Sequence, residues 1–487
     1  MRRILYVVIA CAALARGAFC APSFTQEDAV SLSSATLGCV LPAGAGYRMY
    51  FSSSAAFAVL SATSTDGLTW TVENGVRIST PAGGVLSSSI TALGVYAGPD
   101  ITSGPYRAYY VGISTDGLYS ILSATSTDGL AWGGDGDFLL NFNGGNSRVL
   151  SLAPFDLGGG RAVLYYTRDN GDPVPDPGAF AVFAATSTDG GNSFSGETQV
   201  LPSTGIFSVA VSSLTDGTIR LFATAPLLSG TSAASILSAD SSDGLHFGAA
   251  AQVFSTNPAT NVLGAIAVAR STDTYSWRLY MNLRLATSAT DYVRSAVTLS
   301  PVINSFSPAV VLNDAAALDF TLAGEIFSTT APVVSITKGA DSVPVTLVTR
   351  VSDIRLTVSA NPNGAPIGSY LVTVTNPGGR SAALPNGLTV DFRPGFATVT
   401  DNLFRPLKGG KAKVDVTLFN PGVITARLYD LNGGQVKVLF HAQAAAGVTT
   451  FFWDGKTGSG SVAASGLYLL RVKGPKTDAK EKIVLIK

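Results

Sequence analysis

The sequence predicts an all-β chain headed by a five-bladed β-propeller, and three observations lead there. An arginine opening an apolar, aromatic-rich run occurs five times: Arg48-Met49-Tyr50, Arg107-Ala108-Tyr109, Arg161-Ala162-Val163, Arg220-Leu221-Phe222 and Arg278-Leu279-Tyr280, at spacings of 59, 54, 59 and 58 residues. A Ser-x-Asp-Gly turn running into an aromatic follows four of them: Ser64 to Trp70, Ser126 to Trp132, Ser187 to Phe194 and Ser241 to Phe247. Charged residues are only 13% of the 487, about half the usual share, with Ser, Thr and Gly at outward strand positions. The one stretch with helical character is very short, around Ala442 to Ala446.

A near-constant period means a repeat array. Each unit holds an inner apolar run (Ile90 to Ala97 in the second), a Gly/Asp/Pro turn, the Arg-led run, a third run ending in Ser-x-Asp-Gly, and a fourth after the aromatic. Short alternating runs between turns are strands of a meander, and four strands per unit at this period make a propeller blade. In the turn, Ser and Asp side chains bond nearby amides, glycine takes a positive φ, and the aromatic packs between blades. Asp66, Asp128, Asp189 and Asp243 are therefore structural. The fifth unit has no such turn.

Ser187-x-Asp189-x-Gly191-x-Ser193-Phe194 resembles the Asp-box, or BNR repeat, of sialidase-like propellers, and the other three copies resemble a shorter variant. With Tyr47-Arg48-Met49-Tyr50, residues 30 to 300 look like the five-bladed glycosidase propellers of the arabinanase and fructosidase group. That resemblance implies that the box lies on the face away from an active site.

In chain order, Met1-Arg2-Arg3 followed by apolar Ile4 to Ala15 reads as a signal peptide over residues 1–20, cleaved near Cys20 to Ala21. A lipoprotein reading would acylate Cys11 instead. Either way the protein is exported, to the medium or the cell surface, with the outer membrane or periplasm included, and no further stretch makes an integral membrane segment. Cleavage leaves Cys39 alone, which excludes a disulfide framework and fits a buried small hydrophobe.

The propeller spans 21–300. At Pro301 the texture changes, and 301–392, with its Ser307-Pro308 start and Tyr370 to Gly379 ending, resembles an IPT/TIG immunoglobulin-like sandwich. From 393 to 487, Asn402 to Pro406, Ala426 to Gly433, Trp453-Asp454-Gly455-Lys456 and Lys482 to Lys487 resemble the Ig-like domain of the flagellar hook-capping protein and related C-terminal sorting domains. The fold class is thus a propeller followed by two immunoglobulin-like β-sandwiches, read as independently folding pieces. The last segment carries 14 Lys/Arg against 6 Asp/Glu, about +8, and the rest about −8. A basic domain suits an anionic surface or secretion and sorting machinery as partner.

A glycosidase needs two carboxylates across the scissile bond. The resemblance implies acids at the leading ends of the inner strands, but those ends read Ser33 to Gly38, Ser87 to Ala92, Ser147 to Ser151, Gly205 to Ser208 and Asn261 to Gly264, with no carboxylate. The catalytic candidates left are Asp28, Asp116 and Asp169. Arg148, which occurs once at an inner-strand leading end and does not recur from unit to unit, stands with Asn143 and Asn146 as a ligand-binding set. Asp169, Asp172 and Asp176, on a proline-stiffened loop, are the candidate metal ligands, with Ca²⁺ as the ion that suits them; otherwise no cofactor is indicated. Two functions follow: an exported protein whose propeller binds a glycan or cell-surface protein without cleaving it, or an active sialidase- or arabinanase-like hydrolase with displaced acids. Nothing suggests nucleic acid.

Overall fold

The computed structural model describes residues 22–27, 32, 35–53, 58–79, 90–97, 106–113, 119–141, 147–169, 177–226, 233–256, 261–270, 276–285, 291–298, 300–377 and 379–487. These residues are β-strands and turns, with 3₁₀ turns at Pro177–Ala179 and Pro406–Lys408. The stretch expected to be helical is instead the end of strand Gln435–Ala444. Its neighbour Gly422–Tyr429 offers a full antiparallel ladder, and that pairing outweighs the helix propensity of a few alanines.

Five sheets form the propeller. Their inner strands are Ala35–Ala43, Ala92–Ala97, Val149–Gly158, Val209–Ser213 and Asn261–Arg270, each packed against the next around the axis. In blades one to four the chain steps outward through antiparallel neighbours, so each Arg-led run is a second strand. Blade five is closed differently. Thr25–Gln26 pairs with Asp291–Val297 and supplies its outermost strand.

The two ends of the ring are chemically equivalent. In blade one, Glu73 receives Arg48 Nε at 3.0 Å and the Ser61 hydroxyl at 2.6 Å. In blade five, Glu27 receives Arg278 Nε at 3.0 Å and the Ser295 hydroxyl at 2.6 Å. Glu27 arrives from the other end of the chain, 251 residues away, and does what Glu73 does locally.

The Ser-x-Asp-Gly turns sit at the seams. Asp66 Oδ1 accepts the amides of Leu68 and Thr69, each at 2.8 Å, and Ser64 Oγ accepts that of Gly67 at 2.8 Å. Asp128, Asp189 and Asp243 repeat this arrangement. The preceding blade then reaches across: Tyr280 donates to Gly67 O at 3.0 Å, Tyr50 to Gly129 O at 2.8 Å, Tyr109 to Gly191 O at 2.9 Å and Tyr165 to Gly244 O at 2.7 Å. The aromatic closing each turn meets the same tyrosine edge-on, as Trp70 does Tyr280 and Phe194 does Tyr109. Glycine is required twice at these seats. Gly67 has φ +72°, and a Cβ there would lie 2.3 Å from Arg278 Nη1.

The fourth seam departs from the pattern because blade five has no such turn. Blade four carries Phe222 in place of tyrosine, so no hydroxyl is left without an acceptor. Phe222 meets Phe24 and Trp277 edge-on. Arg220 turns to Asp240 and to Glu325 of the next domain.

That domain packs the sheet Val302–Ser307, Leu318–Glu325, Arg355–Ala360, Val345–Ser352 against a five-stranded sheet containing Val333–Lys338, Gly368–Thr375 and Ser381–Asp391. Its core includes Phe320, Tyr370 and Val372. Ile326 and Ile354 leave that core and join the propeller cluster of Phe24, Phe222 and Trp277. Ile326 does so at φ +61°, a strained setting for a β-branched residue. The last domain packs Phe396–Thr400, Ala412–Leu418 and Gly447–Trp453 against Leu403–Phe404, Thr477–Leu485, Gly466–Gly474, Gly422–Tyr429 and Gln435–Ala444, around Trp453.

Candidate functional site

The axial channel is the natural candidate, since every blade contributes to it. Its wall carries Cys39, Val95, Leu152, Ala153, Val211 and Ile266 among other apolar residues around 80 Å³ of space. Among the described residues no carboxylate lines it. Cys39 accepts the Val95 amide through Sγ at 3.3 Å, and burial pushes its thiol up to about 12. A protonated thiol in that setting is inert.

At the leading ends of the inner strands, serines stitch blades together. Ser151 Oγ accepts the Val209 amide at 3.1 Å, and Ser208 Oγ accepts that of Ile266 at 3.0 Å. Asn282 closes the ring in the same way, receiving the Leu37 amide at 2.8 Å and donating to Ala35 O at 2.7 Å. Polar residues at inner-strand starts, Ser151 and Ser208, and on the apolar second strand of blade five, Asn282, were the signal for this. Their partners about one blade away, at sequence separations of 57 and 58 residues, were not visible from local pattern.

Arg148 and Asp169 are brought together. Val149–Gly158 and Arg161–Arg168 are antiparallel, so the residue before the first meets the residue after the second. The Arg148 amide donates to Asp169 Oδ1 at 2.7 Å, the Asp169 amide donates back to Arg148 O at 3.3 Å, and the guanidinium lies 3.7 Å from Oδ2. The Asp169 side chain is 2% exposed and that of Arg148 22%. This carboxylate pins the end of a hairpin. Arg168 next to it binds Glu197 and stacks on Phe183 at 4.1 Å.

Asp28, Asp116, Asn143, Asn146, Asp172 and Asp176 lie outside the described residues, as does the segment 1–20. Among the described residues no group of three or more His, Cys, Asp or Glu is arranged to hold a metal ion. No helix among them is long and apolar enough to cross a membrane.

No curated protein matches the chain. Among solved structures, it is similar to a thermostable family-43 glycoside hydrolase at 15% identity and TM-score 0.44, over 55% of this chain and 91% of that one. It is similar to a GH43_1 enzyme from Xanthomonas citri at 12% and 0.42, over 58% and 91%. An exo-β-1,3-galactanase from Phanerochaete chrysosporium follows at 11% and 0.40, over 90% and 96%. At such distances the propeller assignment rests on the five sheets themselves. The model of the FlgD Ig-like domain matches residues 402–478, and the C-terminal domain is of that kind.

Proposed function

We propose that this chain is an exported surface protein whose glycosidase-like propeller binds a glycan or protein ligand without hydrolysing it. The observation carrying this reading is the pinned state of Asp169. Of the three acids the sequence offers, it is the one within the described residues, and its oxygens serve the Arg148 amide and guanidinium. Glycosyl transfer needs one carboxylic acid and one carboxylate facing each other across the substrate. An apolar channel and serines engaged between blades supply neither. Ligand contact then falls to the inner-strand ends, where part of the Arg148 side chain stays exposed. Export is supported by the basic, apolar start of the sequence.

The test is a glycan array run beside chromogenic glycosides. The expected result is binding without turnover, weakened in Arg148→Ala. Turnover that disappears in Asp28→Ala or Asp116→Ala would establish a hydrolase with displaced acids and overturn the reading.

A further inference from the structure

The outer face of the larger C-terminal sheet carries an unbalanced set of cations. In Gly422–Tyr429, Ile424, Ala426 and Leu428 point into the core, so Arg427 and Tyr429 point outward. The same alternation turns Leu469, Arg471 and Lys473 outward on Gly466–Gly474, and Lys480 and Lys482 on Thr477–Leu485. Register then aligns like charges. Arg427 lies opposite Arg471, and Arg471 lies opposite Lys480, a row of three cations on adjacent strands about 4.8 Å apart. Like charges directly opposite are destabilising. Arg471 bonds Asp478 at 2.7 Å, and that one carboxylate also lies opposite Lys473 and feels Lys480. Arg427, Lys473, Lys480 and Lys482 have no ion-pair partner among the described residues, while Lys413, Lys437 and Lys476 elsewhere in the domain each have one.

Beside this row the surface is hollow. A depression of 460 Å³ is walled by Tyr429, Leu469, Arg471, Lys480, Lys482 and the turn bearing Leu431 and Asp430, whose Oδ1 accepts the Asn432 and Gly434 amides. Lys482 lies opposite Leu469, which lies opposite Tyr429, so a half-buried leucine and one tyrosine ring lie beside the cations. A flat membrane would touch the rim of such a hollow and leave its floor unfilled. A chain of pyranose rings would fill it, with ring faces on Tyr429 and Leu469 and carboxylates at the cationic row.

We propose that this face docks an acidic polysaccharide bearing carboxylates along its length. The site lies on the third domain and stands independently of how the propeller is read.

The experiment uses the full chain and polygalacturonate as probe, with dextran as neutral control and phosphatidylglycerol vesicles as the competing surface. Affinity electrophoresis and calorimetry should show binding to polygalacturonate that weakens as salt rises, and none to dextran. The pair Arg427→Ser with Lys480→Ser should weaken binding about tenfold. It should leave the fold intact, since it relieves opposed charges. The pair Lys408→Ser with Lys411→Ser makes the same change of net charge elsewhere in the domain and should leave affinity unaltered. Tyr429→Ala should lower affinity without changing the salt dependence. Equal loss in both lysine-containing pairs would reduce the effect to net charge and overturn the site. Capture by vesicles that polygalacturonate does not displace would assign the face to a membrane instead, and failure to bind polygalacturonate at low salt would end the proposal.

Discussion

Arg220 of the fourth blade and Glu325 of the second domain form a bidentate ion pair from which water is almost excluded. Nη1 lies 2.6 Å from Oε2 and Nη2 2.8 Å from Oε1, with side-chain exposures of 2% and 4%. Asp240 takes the rest of the guanidinium at 2.7 Å. The other blade arginines with seam contacts, Arg48, Arg107 and Arg278, reach the turn of the next blade. Arg220 has no turn to reach, and a different domain supplies the acceptor.

Removing one member of such a pair leaves a charge buried without compensation. Arg220→Ala should therefore destabilise the chain by about 3–5 kcal/mol, and replacing Arg220 and Glu325 together by methionine should cost much less. Burial already pushes the Glu325 carboxyl upward despite Arg220, which shows how costly that charge is to hold. Urea unfolding followed through tryptophan fluorescence reads both variants. An Arg220→Ala midpoint matching the parent would refute the coupling.

The turn aspartates predict an acid transition. Amides of Thr69 and Leu68 hold the Asp66 carboxyl down to about 2; Asp128 is lowered first by the matching Ala131 amide, Asp243 by the His246 amide, and Asp189 by the Ser193 hydroxyl. A depressed folded value means stability that is present above the unfolded value near 3.9 and lost as pH falls through the folded one. Asp66→Asn should thus lower the urea midpoint at neutral pH and flatten its dependence between about pH 4 and pH 2. A variant with the parent's slope in that window would show that Asp66 does not carry the effect.

The seams predict that exchanging tyrosine and phenylalanine harms in both directions. Tyr280→Phe removes the donor to Gly67 O and should cost about 1–3 kcal/mol, because that buried carbonyl loses its partner. Phe222→Tyr puts a hydroxyl among Phe24, Trp277 and Ile326 without an acceptor, at a similar cost. Thermal unfolding of both variants is the check. If Phe222→Tyr proves neutral, the fourth seam is not the closed apolar contact described here.

The periodic part of this architecture was open to sequence reading because it is local. Arg-led runs and Ser-x-Asp-Gly turns recur within one blade, and their chemistry is complete inside a few residues, as the bonds from Asp66 to Leu68 and Thr69 show. What breaks the period was not. Glu27 substitutes for an acid of the fifth blade from 251 residues away, and Glu325 reaches Arg220 across 105 residues. Neither can be read from a neighbouring pattern. Arg148 stood out because it occurs once, but its partner Asp169 becomes visible only when the hairpin between them is folded.

The last prediction concerns where the chain can be divided. Sequence texture suggests two equivalent boundaries, near 300 and 392. The contacts make them unequal. Across the first, Arg220 and Glu325 are buried, Thr215 donates to Asp353 at 2.5 Å, Arg270 pairs with the same carboxylate, and Ile326 enters the propeller core. Across the second, Arg393 meets Asp314 with both side chains more than a third exposed, and Lys476 meets Asp391 near Phe392. Solvent-exposed pairs contribute about 0–1 kcal/mol each. Limited proteolysis should therefore cut near 392 first and release a fragment of propeller plus second domain that melts as the full chain does. A fragment ending at residue 300 should melt well below it, having lost Glu325 and Ile326 from the fourth seam. Equal melting of the two fragments would mean that the second domain adds nothing to the ring, and that Arg220 is satisfied by Asp240 alone.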